Sequence, residues 1–317
     1  MASRDVVAPS TLRPLIAPHE ASAFRRALRR NSGLFYLLPS TILLLAITVA
    51  PFFYLIYNSL TRWNLTRAYL GKQYIGLGNY RAMLHDELFW GAMKTTFIAA
   101  VAVVVVQLTL GMALALLFCR PFPGKRVVRS LFLLPLITTP VVVGLTWRML
   151  YNSDLGMINY VLRSFGLPTP IWLASPRTAL PSVILTDTWI AAPFVTLMFV
   201  AGLQSLSVEP REAARIDGAS TRRIFFDITL PQLRPLIFLA LIFRATDALR
   251  MFDLIYVMTA GGPANATQTL NMYAFKVGFQ FLNIGYGSAL AVVLMGLCIV
   301  VSLIFVKYSG LDVEGKR

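Results

Sequence analysis

The 317-residue sequence holds only two cysteines, Cys119 and Cys298, and two histidines, His19 and His85. That supply excludes a disulfide framework and a zinc cluster, and it leaves almost nothing for a histidine-based active site. Charge is scarce as well: 14% of residues are charged, against about 25% in an ordinary soluble domain. No Gly-x-x-x-x-Gly-Lys-Ser/Thr phosphate loop occurs, and Gly124-Lys-Arg is not one, so the chain cannot hydrolyse ATP alone. Nor is there the period-two alternation of a membrane β-barrel. What the sequence does have is apolar bulk, with 57% hydrophobic residues and a mean hydropathy of +0.67. Acidic residues number 14 against 29 Lys and Arg, for a net charge of +15. Basic residues interrupted by long apolar blocks belong to the loops of an integral membrane protein rather than to a nucleic-acid surface.

Charged residues are missing from Asn31 to Thr61, Thr95 to Cys119, Ser130 to Trp147, Thr188 to Val208 and Val277 to Val306. Each gap meets or nearly meets the length a helix needs to cross about 30 Å of hydrocarbon. The pattern predicts six helical spans at 34–58, 96–118, 130–151, 181–203, 233–257 and 286–307. The fifth carries four charges, so it rests on the apolar positions around them. The first is too long for the apolar core of a signal peptide and has no small-x-small cleavage site after it. Residues 1–32 read as a basic tail ending in a short amphipathic helix, with Arg25, Arg26, Arg29 and Arg30 just before the membrane. The N-terminal tail, the C-terminal tail and the segments after spans two and four hold 18 Lys and Arg, counting Arg234 and Lys307 at the span ends; the alternate loops hold 8. By the positive-inside rule both termini are expected in the cytoplasm, although the first outer loop carries five basic residues. In that loop His85 and Asp86 read as solvated.

The segment 209–231 reads as a helix, a break and a second helix. Pro210 suits a first turn, and Glu209 and Glu212 complement the helix dipole there. Ala213 and Ala214 leave a face without bulk. Gly218 ends the helix in a left-handed conformation, Ser220 caps the next, and Ile224, Phe225 and Ile228 give it an apolar face before Pro231. From the residues alone, a solvated linker on the membrane surface is an equal reading.

Glu212-Ala213-Ala214, three residues, Gly218, nine residues, then Ile228-x-Leu230-Pro231 resembles the EAA loop of ATP-binding-cassette importer permeases. Phe35-Tyr-Leu-Leu-Pro39, Gly76-Leu-Gly-Asn-Tyr80, Arg250-Met-Phe-Asp253 and Gly261-Gly-Pro-Ala-Asn-Ala-Thr267 extend the likeness along nearly the whole chain. They resemble carbohydrate importer permeases of the maltose, trehalose, polyol and glycerol-phosphate type, specifically the half that pairs with a second permease. Ala260-Gly-Gly departs from the three glycines of many relatives. The resemblance implies an all-α polytopic membrane protein with six transmembrane helices and a cytoplasmic EAA coupling loop. Its parts would be a basic tail at 1–32, a permease domain at 33–308 and a C-terminal tail at 309–317. It also implies a sugar importer in the bacterial inner membrane, made with a second homologous permease, two copies of an ATPase and an extracytoplasmic sugar-binding protein. ATP and magnesium would reside on the ATPase, and this chain would bind no cofactor, metal or nucleic acid. Glu212, Ala213, Ala214, Gly218, Ile228, Leu230 and Pro231 would couple it to that ATPase, with Glu212 making the charged contact.

Arg244, Asp247, Arg250 and Asp253 recur every three residues along one ridge of the fifth span. Charges in a membrane face protein or water. The ridge is either a self-neutralised ladder holding the span to its neighbours or a lining of the sugar path. Depth along spans four and five predicts an Asp187–Arg250 pair. Trp189, beside Asp187, is placed either to pack or to stack on a sugar ring. Arg148, near the outer end of span three, is expected to snorkel. The alternative function is an ion-coupled secondary transporter using Asp187, Asp247 and Asp253 as proton carriers, which would need internal repeats that the sequence lacks.

Overall fold

The computed structural model describes residues 32–309, so the readings for the two tails fall outside the described residues. The chain divides after Tyr54 into two compact units. The described part of the first is most of one helix, α1 (Ser32–Ser59), which includes Pro39 and Pro51 and is apolar around its circumference.

The second unit starts with the last turn of α1. A two-residue antiparallel pair follows, β1 (Thr61–Arg62) with β2 (Gln73–Tyr74), enclosing a 3-10 turn at Leu65–Leu70. Next come α2 (Gly78–Leu84) and the long α3 (Glu87–Cys119), whose N-terminus Asp86 caps by accepting from Leu88 N at 2.9 Å. Then follow α4 (Lys125–Ile137), α5 (Pro140–Leu150), α6 (Met157–Ser164) and α7 (Ala179–Ser205). The segment 209–231 forms α8 (Glu209–Ile216) and α9 (Thr221–Gln232). The chain closes with α10 (Arg234–Leu249), α11 (Asp253–Met258), α12 (Leu270–Phe275) and α13 (Ile284–Ser309).

Among the described residues four helices are long and apolar enough to cross a membrane, namely α1, α3, α7 and α13. Two bent pairs bring the number to six if each pair is one span. The third predicted span is therefore not one straight helix: α4 and α5 meet at 104°. The cause is local, because Pro140 pushes the residue before it out of the helical region, and Thr138 and Thr139 are both extended. The fifth is also broken. It turns 67° from α9 at Leu233 and its helix stops at Leu249, before the short α11. Carbonyls released at that second break would be costly in hydrocarbon, and distant side chains satisfy them. Asn271 Nδ2 donates to Arg250 O at 2.8 Å, and Thr269 Oγ1 donates to Met251 O at 3.2 Å.

The core forms where α3, α7 and α10 pack together. At one level Val103, Val183, Ala248 and Ile255 are buried together, and at another Ala115, Val195, Phe199 and Leu233. Small residues set the spacing. A methyl group at Gly111 would stand 2.6 Å from a Val195 methyl, so α3 and α7 approach to backbone contact. A third apolar cluster, with Leu270, Tyr273 and Leu290, joins α12 to α13 and the start of α3.

Candidate functional site

Two places gather the polar residues that the sequence singled out. The first lies among the buried helices. Arg244 of α10, whose side chain is 9% exposed, donates from Nη2 to Asp187 Oδ2 of α7 at 3.0 Å. Its Nε donates to Gln107 Oε1 of α3 at 2.6 Å, and Gln107 Nε2 donates to Asp187 Oδ2 at 2.7 Å. Three helices are thus tied by one closed triangle of hydrogen bonds. Arg244 Nη1 also reaches Asp247 Oδ2 at 3.4 Å, and Asp247 Oδ1 accepts from Arg250 Nη2 at 3.1 Å. The predicted ladder therefore exists from Arg244 to Arg250, and its exposure rises from 9% at Arg244 to 61% at Arg250.

The predicted Asp187–Arg250 pair does not form; Asp187 pairs with Arg244. The depth count assumed one straight helix to residue 257. Because α10 ends at Leu249, the later residues add no regular rise, and the position about 9 Å earlier stands opposite Asp187. Asp253 opens α11 and, among the described residues, joins no ion pair. A cavity of about 420 Å³ is lined by Asp187, Arg244, Asp247, Arg250, Phe252 and Asp253. Three carboxylates thus face two guanidiniums, a lining suited to hydroxyl-rich solutes, which accept from arginine and donate to carboxylate.

Trp189 does not line this cavity. Two positions along a helix differ by about 200°, so it points away from Asp187, packs edge-on to Trp147 at 5.9 Å and borders a separate apolar cleft. Arg148 Nη1 donates to Val257 O at 3.2 Å instead of only reaching for an interface. Gln107 escaped the sequence reading. Its signal was present, since it is the only amide side chain between Thr96 and Phe118, and a buried amide needs partners.

The second place is the segment 209–231. Pro210 lies in the first turn of α8, with Glu209 and Glu212 beside it, and no residue of α8 is buried. Gly218 has φ +77° and its N–H bonds to Arg215 O at 3.1 Å, while Ala219 N reaches Ala214 O at 2.9 Å. This is the left-handed helix end read from the sequence. Glu212 and Ala213 are exposed and Ala214 is half-buried. Ser220 caps α9, accepting from Arg223 N at 3.4 Å. Within α9, Ile224–Thr229 is a π turn, with Ile224 buried and Ile228 half-buried, while Leu230 and Pro231 continue the helix to Gln232. Pro231 therefore does not end it; the chain turns two residues later at Leu233.

Asp86 is not merely solvated. Its Oδ2 accepts from the hydroxyls of Tyr273 and Tyr286, both at 2.6 Å. Burial pushes its pKa up, but these bonds and those from the Leu88 and Phe89 amides outweigh it and hold the carboxyl below its usual range. His85 is exposed, as expected.

Long apolar helices, two of them broken, around a charge-lined cavity define a polytopic membrane protein of helical class. Residues 107–310 match the family of binding-protein-dependent transport system inner membrane components. The chain is 38% identical to a probable ABC transporter permease protein of Sinorhizobium fredii over 92% of its length and 94% of that protein's. It is 40% identical to the sulfoquinovosyl glycerol transport system permease protein of Agrobacterium fabrum, covering 86% and 88% of the two chains. With the trehalose/maltose transport system permease protein of Thermococcus litoralis it shares 35% identity over 74% and 80%. Its fold is that of a bacterial ABC transporter involved in the import of the acidic polysaccharide alginate, with a TM-score of 0.78 at 21% identity, covering 92% and 99%. The chain belongs to the binding-protein-dependent inner membrane component family: it is a multi-pass permease subunit of an ABC transporter and not an enzyme. This membership sets aside the ion-coupled carrier.

Proposed function

We propose that the chain is one of two permease halves of an ATP-driven sugar importer, with both termini in the cytoplasm. The observation that carries this reading is its 35–40% identity to permeases named for trehalose/maltose and for sulfoquinovosyl glycerol transport. The second half is a homologous permease, two copies of an ATPase hold ATP and magnesium, and an extracytoplasmic binding protein delivers the sugar. Helix α8 is the coupling helix. It is two turns long, rests on the apolar π turn of α9 and leaves Glu209, Glu212, Ala213, Arg215 and Ile216 exposed, a face that can enter a cleft on the ATPase. Glu212 supplies the charged contact, Ala213 and Ala214 the close approach, and Gly218 the turn; Ile228, Leu230 and Pro231 carry the motion into α10. The cavity at Arg244 lies on the sugar path, with Asp247 and Arg250 as its accessible hydrogen-bonding groups. Arg244 is about 15 Å along the axis from Arg234, near the middle of a hydrocarbon core of about 30 Å.

The test is uptake of labelled sugars and polyols into vesicles holding the assembled transporter, with and without ATP. Uptake should require ATP, and Glu212→Lys should abolish it while the complex stays assembled. Uptake driven by a proton gradient without the ATPase would overturn the reading.

A further inference from the structure

A cavity of about 730 Å³ opens between the segment 61–86 and the start of α13, distinct from the one at Arg244. Its frame is built from hydrogen bonds between distant parts of the chain. Asn79 Nδ2 donates to Ser59 O at 2.7 Å and Thr61 O at 2.9 Å, Leu65 N donates to Leu282 O at 2.9 Å, and Gly285 N donates to Trp63 O at 3.0 Å. A methyl group at Gly285 would collide with Thr61 O, so this joint admits only glycine. Lys72 pins the same segment, donating to Asn58 Oδ1 at 2.6 Å with its Nζ 4.2 Å from the Tyr57 ring centre.

Arg62, Arg67, Asn64, Gln73 and Asp86 bring polar groups to the lining, beside Leu70 and Ile75. Among the described residues neither guanidinium has an ion-pair or hydrogen-bond partner. Asp86 is the lining's sole carboxylate, and its acceptors are engaged by Tyr273, Tyr286 and the Leu88 amide. The concavity therefore presents two free five-donor forks and amides on a fixed frame, an arrangement that selects a planar, bidentate anion.

We propose that this cavity is a docking socket for the extracytoplasmic binding protein, in which Arg62 and Arg67 grip acidic side chains of that protein. The proposal rests on the importer reading, which puts the socket on the outer face of the membrane, where the binding protein delivers its sugar. Two guanidiniums held there steer an acidic patch to one place and fix its orientation. They act on encounter and register, not on the sugar itself.

The experiment uses the full transporter in proteoliposomes and titrates ATPase stimulation with its sugar-loaded binding protein. Arg62→Glu and Arg67→Glu, each on an exposed side chain without partners, should leave unstimulated ATPase and assembly unchanged. Together they should raise the half-saturating concentration of binding protein at least about tenfold and remove its dependence on salt. Arg62→Lys with Arg67→Lys should retain most of the affinity. An unchanged half-saturation in the Glu variants would overturn the proposal. So would a raised KM for sugar uptake at saturating binding protein with half-saturation unchanged, which would make the cavity a sugar subsite. A wild-type complex that no binding protein stimulates would overturn the importer reading, and the proposal with it.

Discussion

Arg244 is the residue on which the buried polar structure turns. An isolated charge at that depth costs at least about 2.5–3.5 kcal/mol on insertion scales, and Asp187, Gln107 and Asp247 offset that cost through three hydrogen bonds to the guanidinium, with Gln107 and Asp187 also bonded to each other. The triangle also carries information, because the helices satisfy every member only in one relative register. Asp187→Asn leaves the guanidinium without its closest charge and should destabilise the protein by about 3–5 kcal/mol, read as a lower unfolding temperature in detergent. Replacing both partners, with Asp187→Leu and Arg244→Met, should recover most of that loss, since no unpaired charge remains. If the double variant is no more stable than Asp187→Asn, the pair is not the source of the effect. The sequence announced the charges but not their partners: i,i+3 spacing made the Arg244–Asp247–Arg250 ladder legible, whereas the Asp187 partner depended on where α10 ends.

Among the elements, α8 was the most readable. Its start at Pro210, its acidic first turn and its end at Gly218 are all local chemistry, and each stands where the residues put it. At Gly218 an added Cβ would meet nothing within 4 Å, so the cost of a side chain there is purely conformational. A left-handed non-glycine residue costs about 1–2 kcal/mol. Gly218→Val should therefore barely move the unfolding temperature of the whole protein but should redirect the end of α8 and depress sugar-stimulated ATPase severalfold. Equal loss of stability and activity would mean that the variant acts through folding. The π turn at Ile224–Thr229 had no such signal, since an i→i+5 turn is a response to packing rather than to a sequence pattern. The break of α4 from α5 did have one, at Thr138-Thr139-Pro140, but the absence of charge across 130–147 outweighed it.

For the whole molecule, the length of α3 and the bias of basic residues put its two ends on opposite sides of the membrane in the proposed importer. In the proposed orientation Cys119, exposed at the C-terminal end of α3, faces the cytoplasm, and Asp86, at its N-cap, faces outward. In a Cys298→Ser background a membrane-impermeant maleimide should label Cys119 in inside-out vesicles and not in right-side-out ones. With Cys119→Ser and His85→Cys in place, the pattern should reverse. Labelling from the other side in either case would invert the orientation and remove the socket from the outer face.

By itself the sequence determined the class of molecule, the placement of its long apolar helices and the helix ends of the segment 209–231. These follow from quantities that add along the chain, such as apolar length, charge bias and helix-end chemistry. The tertiary structure decided the rest: the breaks in the third and fifth spans, the Gln107–Asp187–Arg244 triangle, the departure of Trp189 from the charged cavity and the frame around Arg62 and Arg67. The triangle joins residues 57 or more positions apart, the frame includes bonds such as Leu65 N to Leu282 O, and the breaks fix the exact residue at which each helix stops. A buried polar group is satisfied by whatever the fold brings beside it, and no count along one strand of sequence holds that information.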